Sequence, residues 1–146
     1  MSVTLKAVVE SEKSILRNLY SLYSMTFQGS LKWLNLRQTV LLNKSLDKFW
    51  DIDGLSPYFI KLEGSIIGFI LLLERPFLTE ENDLVINDFF IINKYKGKGV
   101  AAQAAAKLFE AKQGQYFVIQ VIENKRAVSF WRNLYIELKI NINEKP

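Results

Sequence analysis

The sequence predicts a single mixed α/β domain built from layers of sheet and helix. Three observations lead to this fold class. The chain has 146 residues, a length typical of one domain with one core. Hydrophobic residues make up 49% of it, enough to fill that core without disulfides. Segments with strand-like and helix-like periods follow one another in the order β-α-(α)-β-β-β-α-β-α-β, and no repeat or linker separates them.

The first third of the chain predicts a strand followed by a helix. Residues 3–9 alternate and are rich in β-branched side chains, which is typical of a strand. Ser11 is a suitable N-cap, Glu12 falls in the first turn, and apolar residues then recur at helical spacing as far as Phe27. Residues 31–50 show no dominant period, so we expect a short helix or a covering loop there.

The middle of the chain predicts three strands. Two strand patterns flank the Glu63-Gly64-Ser65 turn in residues 58–76, which indicates a β-hairpin that ends at Pro76. Residues 84–92 are apolar at nearly every position, as expected for a central strand covered on both faces. Asp88 is the one charged residue in this run, and simple alternation would place it on the same face as Ile86 and Phe90.

The last third predicts two further helix and strand pairs. A loop of glycine and lysine follows the central strand, and a helix is expected from about Val100 to Lys112. Residues 115–122 have the composition of a strand, and a short helix is expected from Lys125 to about Leu134. Residues 135–143 alternate like a last strand.

Composition excludes several kinds of site. The chain contains no cysteine and no histidine, so a Ser-His-Asp triad, a thiolate metal site and a cysteine nucleophile are all ruled out. We expect no metal, and any acid–base chemistry must use Asp, Glu, Lys, Tyr, a terminus or water. The net charge of +4 suits an anionic small molecule and is too weak and scattered to favour nucleic acid. With no long apolar run and no signal-peptide pattern, we expect a cytoplasmic protein without a membrane partner.

The loop between residues 92 and 100 has the features of an anion site. A strand, a glycine loop and a helix start are arranged so that free N–H groups of the first helical turn can bind phosphate. Gly97 and Gly99 permit a close approach of the backbone, and three lysines at 94, 96 and 98 add positive charge. The pattern fits neither a P-loop nor a dinucleotide fingerprint. An ordinary strand-to-helix turn with solvated lysines remains the alternative.

Two segments of the sequence resemble a known family. The segment NKYKGKGVAAQAAAKLF (93–109) is similar to the coenzyme A signature of the GNAT superfamily of acyl-CoA N-acyltransferases, Gln/Arg-x-x-Gly-x-Gly/Ala. Lys94 stands at the Gln/Arg position of this signature, which spans 94–102. The segment ENKRAVSFW (123–131) is similar to a second element, Asn-x-x-Ala-x-x-Phe-Tyr/Trp. The resemblance covers roughly residues 57–134 and points to a small bacterial group of predicted acetyltransferases.

The resemblance implies a fold and a coenzyme. The sheet should be mixed and mostly antiparallel, with helices on both faces, and two strands around 85–92 and 115–122 should part to hold acetyl-CoA. Pantetheine would pair with the backbone near Ile91, and the pyrophosphate would bind N–H groups at the start of the following helix. The residues implied in coenzyme binding are Phe90, Ile91, Ile92, Lys94, Lys96, Gly97, Lys98, Gly99, Val100, Ala101, Asn124 and Trp131.

The resemblance also implies an activity, which is transfer of an acetyl group to a primary amine. Because the chain has no cysteine for an acyl-enzyme, transfer should be direct, within a ternary complex. Asp88 is the candidate base, and a structural hydrogen bond is the alternative role for it. The family often has tyrosine where this chain has Trp131, so Tyr135, one turn later, is the candidate acid. A non-catalytic acyl-CoA-binding module is the alternative function.

The acceptor side is less determined by the sequence. The acceptor should be a small-molecule or peptide amine. Four aromatic residues could line its pocket, although core packing is the favoured explanation for them: Trp33, Phe49, Trp50 and Tyr58. The resemblance implies that the usual last hairpin of the family is shortened here, so the acceptor wall is expected to be open, swapped or completed by the second subunit of a homodimer.

Overall fold

The protein is described by a computed structural model that covers residues 2–26, 50–78, 83–118 and 125–137. Its strands are β1 (Val3–Ala7), β2 (Leu55–Leu62), β3 (Ser65–Glu74), β4 (Leu84–Ile91) and β5 (Tyr116–Val118). Its α-helices are α1 (Lys13–Thr26), α2 (Val100–Ala111) and α3 (Lys125–Glu137).

The described strands form one sheet in the order β1-β2-β3-β4-β5. Neighbours from β1 to β4 are antiparallel, and β5 is parallel to β4. The mixed, mostly antiparallel sheet predicted from the sequence is therefore confirmed. The predicted hairpin joins β2 to β3 through a two-residue turn at Glu63 and Gly64, whose φ angles are 50° and 89°. Positive φ at both positions is the requirement of a type I′ turn, which matches the twist of the paired strands.

Helices cover both faces of the sheet, and each face has its own core. On one face, α2 and α3 pack on the sheet through Ala104, Ala105, Leu108, Trp131 and Leu134; we call this the α2–α3 face. On the other, α1 packs through its stripe at 16, 19 and 20; we call this the α1 face. Spacings of three and four residues place each stripe on one side of its helix. The two alanines of α2 allow that helix to approach the sheet closely.

A bulge in β4 changes which side chains share a face. Leu71 of β3 pairs with Asp88, but the next residue, Leu72, pairs with Ile86, so Asn87 is an extra residue in β4. Before the bulge Ile86 lies on the α2–α3 face, and after it Phe90 lies on the α1 face. Asp88 is hydrogen-bonded from α1. It therefore shares a face with Phe90 and not with Ile86, and the prediction from simple alternation was wrong for Ile86.

The start of α1 differs from the prediction. A 3-10 turn, Glu10–Glu12, precedes the helix, and Val9 rather than Ser11 is the N-cap residue of that turn. The carboxylate of Glu12 accepts a hydrogen bond from the Val9 N–H at 3.2 Å and pairs with the Lys6 ammonium at 2.7 Å. The hydrogen bond from Lys6 lowers the pKa of Glu12. Ser11 therefore lies within the 3-10 turn and is not the N-cap, and the side chain that bonds to the N-cap backbone is that of Glu12.

The end of the chain also differs. The predicted helix from Lys125 is confirmed but continues to Glu137, so residues 135–137 are helical and do not begin a strand. Amphipathic packing of Trp131, Leu134 and Tyr135 on the sheet outweighs the alternating pattern that suggested a strand. The rest of the predicted last strand, 138–143, lies outside the described residues, as do most of 31–50 and residues 119–122 of the predicted fifth strand.

Candidate functional site

A backbone hydrogen bond and a packed tyrosine ring hold the loop between β4 and α2 where it leaves the sheet. The Ile92 N–H donates to the Ile67 carbonyl of β3 at 2.8 Å, which holds the chain just beyond the end of β4. A 3-10 turn, Asn93–Tyr95, follows. The Tyr95 ring packs against the α2–α3 core, and the Lys94 ammonium lies 5.5 Å from its centroid. The tyrosine therefore anchors the loop while Lys94 stays at its exposed surface.

Both glycines of the loop are required by conformation. Gly97 has φ of 80° and Gly99 has φ of 75°, in the left-handed region that other residues adopt with strain. A Cβ added at either position would meet nothing within 4 Å. Crowding within the described structure therefore does not explain the glycines, and the space beside the backbone is open to a ligand.

The start of α2 provides donors for an anion. Gly99 is the N-cap, so no side chain caps the helix, although its carbonyl accepts from the Gln103 N–H at 3.1 Å. The N–H groups of the first turn, from Val100 onward, have no intrahelical acceptor and form the positive end of the helix dipole. Lys96 and Lys98 are exposed beside them. The loop can thus bind a phosphate group by backbone N–H and long-range charge together.

Asp88 lies on β4, the strand before the loop, and is partly buried on the α1 face. Its carboxylate accepts hydrogen bonds from the Asn87 amide at 2.7 Å and from the Tyr23 hydroxyl of α1. Burial raises the pKa of Asp88 to about 6, and both hydrogen bonds oppose that rise because they favour the charged form. The group is therefore largely ionised at neutral pH but can still take up a proton, as a general base must.

Aromatic rings surround this carboxylate. Tyr20 and Tyr23 of α1 pack with Phe69 of β3 and Phe90 of β4, with ring centroids 5.5–5.9 Å apart. Burial and the negative charge of Asp88 raise the pKa of Tyr23 well above its usual value. Tyr23 consequently stays protonated and acts as a donor to the carboxylate throughout the neutral range.

A second aromatic cluster lies on the opposite face of β4. Phe89 contacts Phe130 and Trp131 of α3, at centroid distances of 6.2 and 5.4 Å, and Trp131 lies 6.1 Å from Tyr135. Trp131 is 5% exposed, so it belongs to the core of the α2–α3 face. The structure therefore places Tyr135 on the other face of the sheet from Asp88 and does not bring the two candidate catalytic residues together.

Two of the residues predicted to bind the coenzyme also lie on opposite faces of the sheet. Phe90 is buried on the α1 face, whereas Ile91 is buried on the α2–α3 face. The predicted separation of β4 from the fifth strand stays a prediction, because the described pairing covers 84–86 and 116–118 and residues 119–124 lie outside the description. Asn124 falls in that segment.

The aromatic residues considered for the acceptor pocket do not form one group. Trp50 lies on the α1 face, where its indole N–H donates to the Val8 carbonyl at 2.9 Å. Tyr58 packs on the α2–α3 face. Trp33 and Phe49 lie outside the described residues.

Sequence reasoning missed two residues of the site. Tyr23 falls at one of the helically spaced positions that predicted α1, yet its hydroxyl reaches Asp88. The tyrosine hydroxyl itself was the available signal, because a buried hydroxyl needs a hydrogen-bond partner. Asn87 is the bulge residue, and no local pattern marks it.

Within the described ranges, no group of three or more acidic side chains is placed to hold a metal ion. In the same ranges, no helix is both long and apolar enough to cross a membrane.

Comparison with known proteins assigns the family. The family model described as the acetyltransferase (GNAT) family matches residues 16–134, most of the chain. The chain belongs to this family. The shared chemistry of the GNAT family is acetyl transfer from acyl-CoA, and the resemblance noted in the two sequence motifs is confirmed at that level. No curated protein matches the sequence of this GNAT chain.

Solved structures share the GNAT fold at low sequence identity. YycN from Bacillus subtilis is 22% identical with a TM-score of 0.68, and the match covers 99% of this chain and 96% of that one. The aminoglycoside 6'-N-acetyltransferase AAC(6')-Ih from Acinetobacter baumannii is 10% identical with a TM-score of 0.65, covering 99% and 95%. A ribosomal-protein-alanine N-acetyltransferase from Brucella melitensis is 12% identical with a TM-score of 0.60, covering 99% and 96%.

Proposed function

We propose that this protein is an acetyl-CoA-dependent N-acetyltransferase that moves the acetyl group directly to a primary amine. One observation carries the proposal, and it lies within the region that matches the family model. Strand β4 is followed by a loop with two glycines of positive φ, and the helix α2 that comes next has no side-chain cap at its first turn. This arrangement suits a pyrophosphate, because donors and positive potential are concentrated where the backbone is accessible.

The coenzyme would lie along β4 and the loop that follows it. Pantetheine would pair with the backbone of residues 90–92, and the pyrophosphate would bind the N–H groups between Lys96 and Ala101. The exposed lysines at 94, 96 and 98 would add attraction at longer range. Asn124 would hydrogen-bond near the pantetheine arm, and Trp131 would pack beside the thiol end through the aromatic cluster that it shares with Phe89.

The reaction would proceed in one ternary complex. Asp88, or a water that it holds, would take a proton from the acceptor ammonium, and the neutral amine nitrogen would attack the thioester carbonyl carbon. Backbone N–H groups near Ile91 would stabilise the oxyanion of the tetrahedral intermediate. The C–S bond would then break and the nitrogen would lose its second proton to solvent, leaving the neutral amide and the coenzyme A thiolate, which Tyr135 or solvent would protonate. The chain has no cysteine that could carry the acetyl group in between.

The acceptor belongs to the class of small-molecule or peptide amines. Structural neighbours include enzymes named for aminoglycosides and for the alanine of a ribosomal protein, so the fold serves both kinds of amine. A cytoplasmic location fits a protein that consumes acetyl-CoA, and a homodimer that completes the acceptor wall remains part of the proposal.

A non-catalytic acyl-CoA-binding module is the second candidate. The observation in its favour is the position of Tyr135, which lies on the opposite face of the sheet from Asp88 while Trp131 occupies the usual tyrosine position. This candidate predicts coenzyme binding without turnover.

Two measurements test the proposal and separate the candidates. Acetyl-CoA at about 100 times its dissociation constant should raise the free energy of unfolding by roughly 2.7 kcal/mol, which a thermal melt detects. A panel of amines should then show release of the coenzyme A thiol with at least one acceptor class. An unchanged melt at millimolar acetyl-CoA contradicts both candidates. A shifted melt without thiol release from any amine favours the binding module.

A further inference from the structure

The Asp88 carboxylate is held from two different elements. The amide of Asn87 reaches it from the bulge of its own strand, and the hydroxyl of Tyr23 reaches it from α1. A carboxylate offers about four lone-pair positions, so two donors fix its orientation and leave two positions for a further partner. An acceptor ammonium is a donor of the right charge for those positions.

The Tyr23 ring cannot turn freely, because three neighbours enclose it. Its centroid lies 5.6 Å from Phe69 in an edge-to-face contact, 5.5 Å from Phe90 and 5.5 Å from Tyr20. Such contacts contribute packing energy beyond the buried area. The hydroxyl is therefore directed at Asp88 by the packing of α1 on the sheet, at little further cost in side-chain entropy.

Uncharged hydrogen-bond donors stabilise the ionised form of the Asp88 carboxylate. In the parts of the chain that the structure describes, the influences that favour ionised Asp88 are the hydrogen bonds from Asn87 and Tyr23. The titratable groups that face it there are the hydroxyls of Tyr20 and Tyr23, both on α1, and both remain protonated in the neutral range. The strand partner in β3 is Leu71, which carries no charge.

We propose that Tyr23 is the positioning residue of the acceptor site: its hydroxyl orients the Asp88 carboxylate and keeps it ionised, ready to receive a proton from the amine. The proposal rests on the function proposed above, in which Asp88 is the base. It assigns α1 a role in the reaction in addition to covering the sheet, because the position of the base depends on how this helix docks.

The test uses Tyr23→Phe, which keeps the ring contacts and removes the hydroxyl, with Tyr20→Phe as the matched control in the same aromatic cluster. NMR titration of the Asp88 carboxyl carbon measures its pKa without any need for turnover. Losing one hydrogen bond should raise this pKa by about one pH unit in Tyr23→Phe. Tyr20→Phe should leave it unchanged, and acetyl-CoA should bind both variants as it binds the wild type.

Kinetics with an amine found in the panel provides the second readout. The acidic limb of the kcat/KM profile should move up by the same amount, which lowers kcat/KM about fivefold at pH 6. Raising the pH above the new pKa should restore it, whereas a damaged fold would not recover.

An unchanged Asp88 titration in Tyr23→Phe, or an equal change in Tyr20→Phe, overturns the proposal. If the titration moves while the acidic limb stays in place, Tyr23 does position Asp88, but Asp88 is not the base, and the proposed mechanism fails. If the wild type turns over no amine, the proposed function fails, and the titration still decides whether Tyr23 holds the carboxylate.

Discussion

Replacing Asp88 by asparagine tests which of two roles the carboxylate has. A buried catalytic base lowers the stability of the fold, whereas a structural carboxylate raises it. Burial raises the pKa of Asp88 from 3.8 to about 6. A pKa raised in the folded state means that folding disfavours the charged form. The contribution of this group to stability is therefore complete below about pH 4 and is lost as the pH rises through about 6.

The size of the effect follows from the same values. The pKa of Asp88 is about two higher in the folded state than in the unfolded state, which corresponds to at most about 3 kcal/mol of unfolding free energy. Asparagine does not titrate, and it can accept from Asn87 while donating to the Tyr23 oxygen. Relative to the wild type, Asp88→Asn should thus gain up to about 3 kcal/mol in unfolding free energy between pH 4 and pH 7, a rise in Tm on the order of 10 °C. Turnover should fall by about 100-fold or more.

Denaturant unfolding at several pH values, together with acetyl-CoA binding and thiol release at pH 7.5, measures these effects. Asp83→Asn is the matched control with the opposite sign. The Gln115 N–H donates to the Asp83 carboxylate at 3.0 Å and lowers its pKa, so this variant should lose stability above pH 4. An Asp88→Asn protein that is less stable than the wild type at pH 7, or whose stability difference does not change with pH, refutes the reasoning and assigns the carboxylate a structural role.

Three further outcomes test the coenzyme loop and the proposed acid. Gly99→Asp should abolish acetyl-CoA binding in calorimetry, because a carboxylate there repels pyrophosphate. Gly64→Asp, at an equally open position with positive φ, is the control and should bind normally. Equal binding by both variants would show that the loop is not part of the site. Changing Lys96 and Lys98 together to alanine should weaken binding several-fold at low salt and little at high salt, and a loss independent of salt would contradict a role for long-range charge. Tyr135→Phe should lower kcat at least about tenfold with binding unchanged, whereas normal turnover would show that the thiolate leaves without this acid.

Local patterns were sufficient for most of the fold. The positive-φ pair at Glu63 and Gly64, the continuous apolar run of β4 and the glycine loop before α2 each have a local physical cause, so their elements could be predicted from the sequence. The ends of α1 and α3 could not be predicted as well. The Glu12 carboxylate is held by Lys6 of β1, a contact between separate elements, and α3 continues past Leu134 where its apolar face packs on the sheet.

The candidate site was predictable only in part for a related reason. The backbone donors of the loop belong to one contiguous segment, so a motif could locate them. The surroundings of Asp88 come from a helix more than sixty positions earlier and from a register change between two strands. No periodicity within residues 84–92 contains that information.

The extra residue in β4, Asn87, has a consequence for how this strand can change in length. Because Asn87 is inserted between two stretches that each alternate regularly, its removal would leave every following side chain on the face that it already occupies. Asp88 would still point toward α1, and Phe89 would still point toward α3. The irregular backbone at this point can therefore be deleted while the pattern of the two cores is kept. Gain or loss of a single codon here would change the local path of the chain between two cores that stay intact, which offers evolution a small step for reshaping the centre of the sheet.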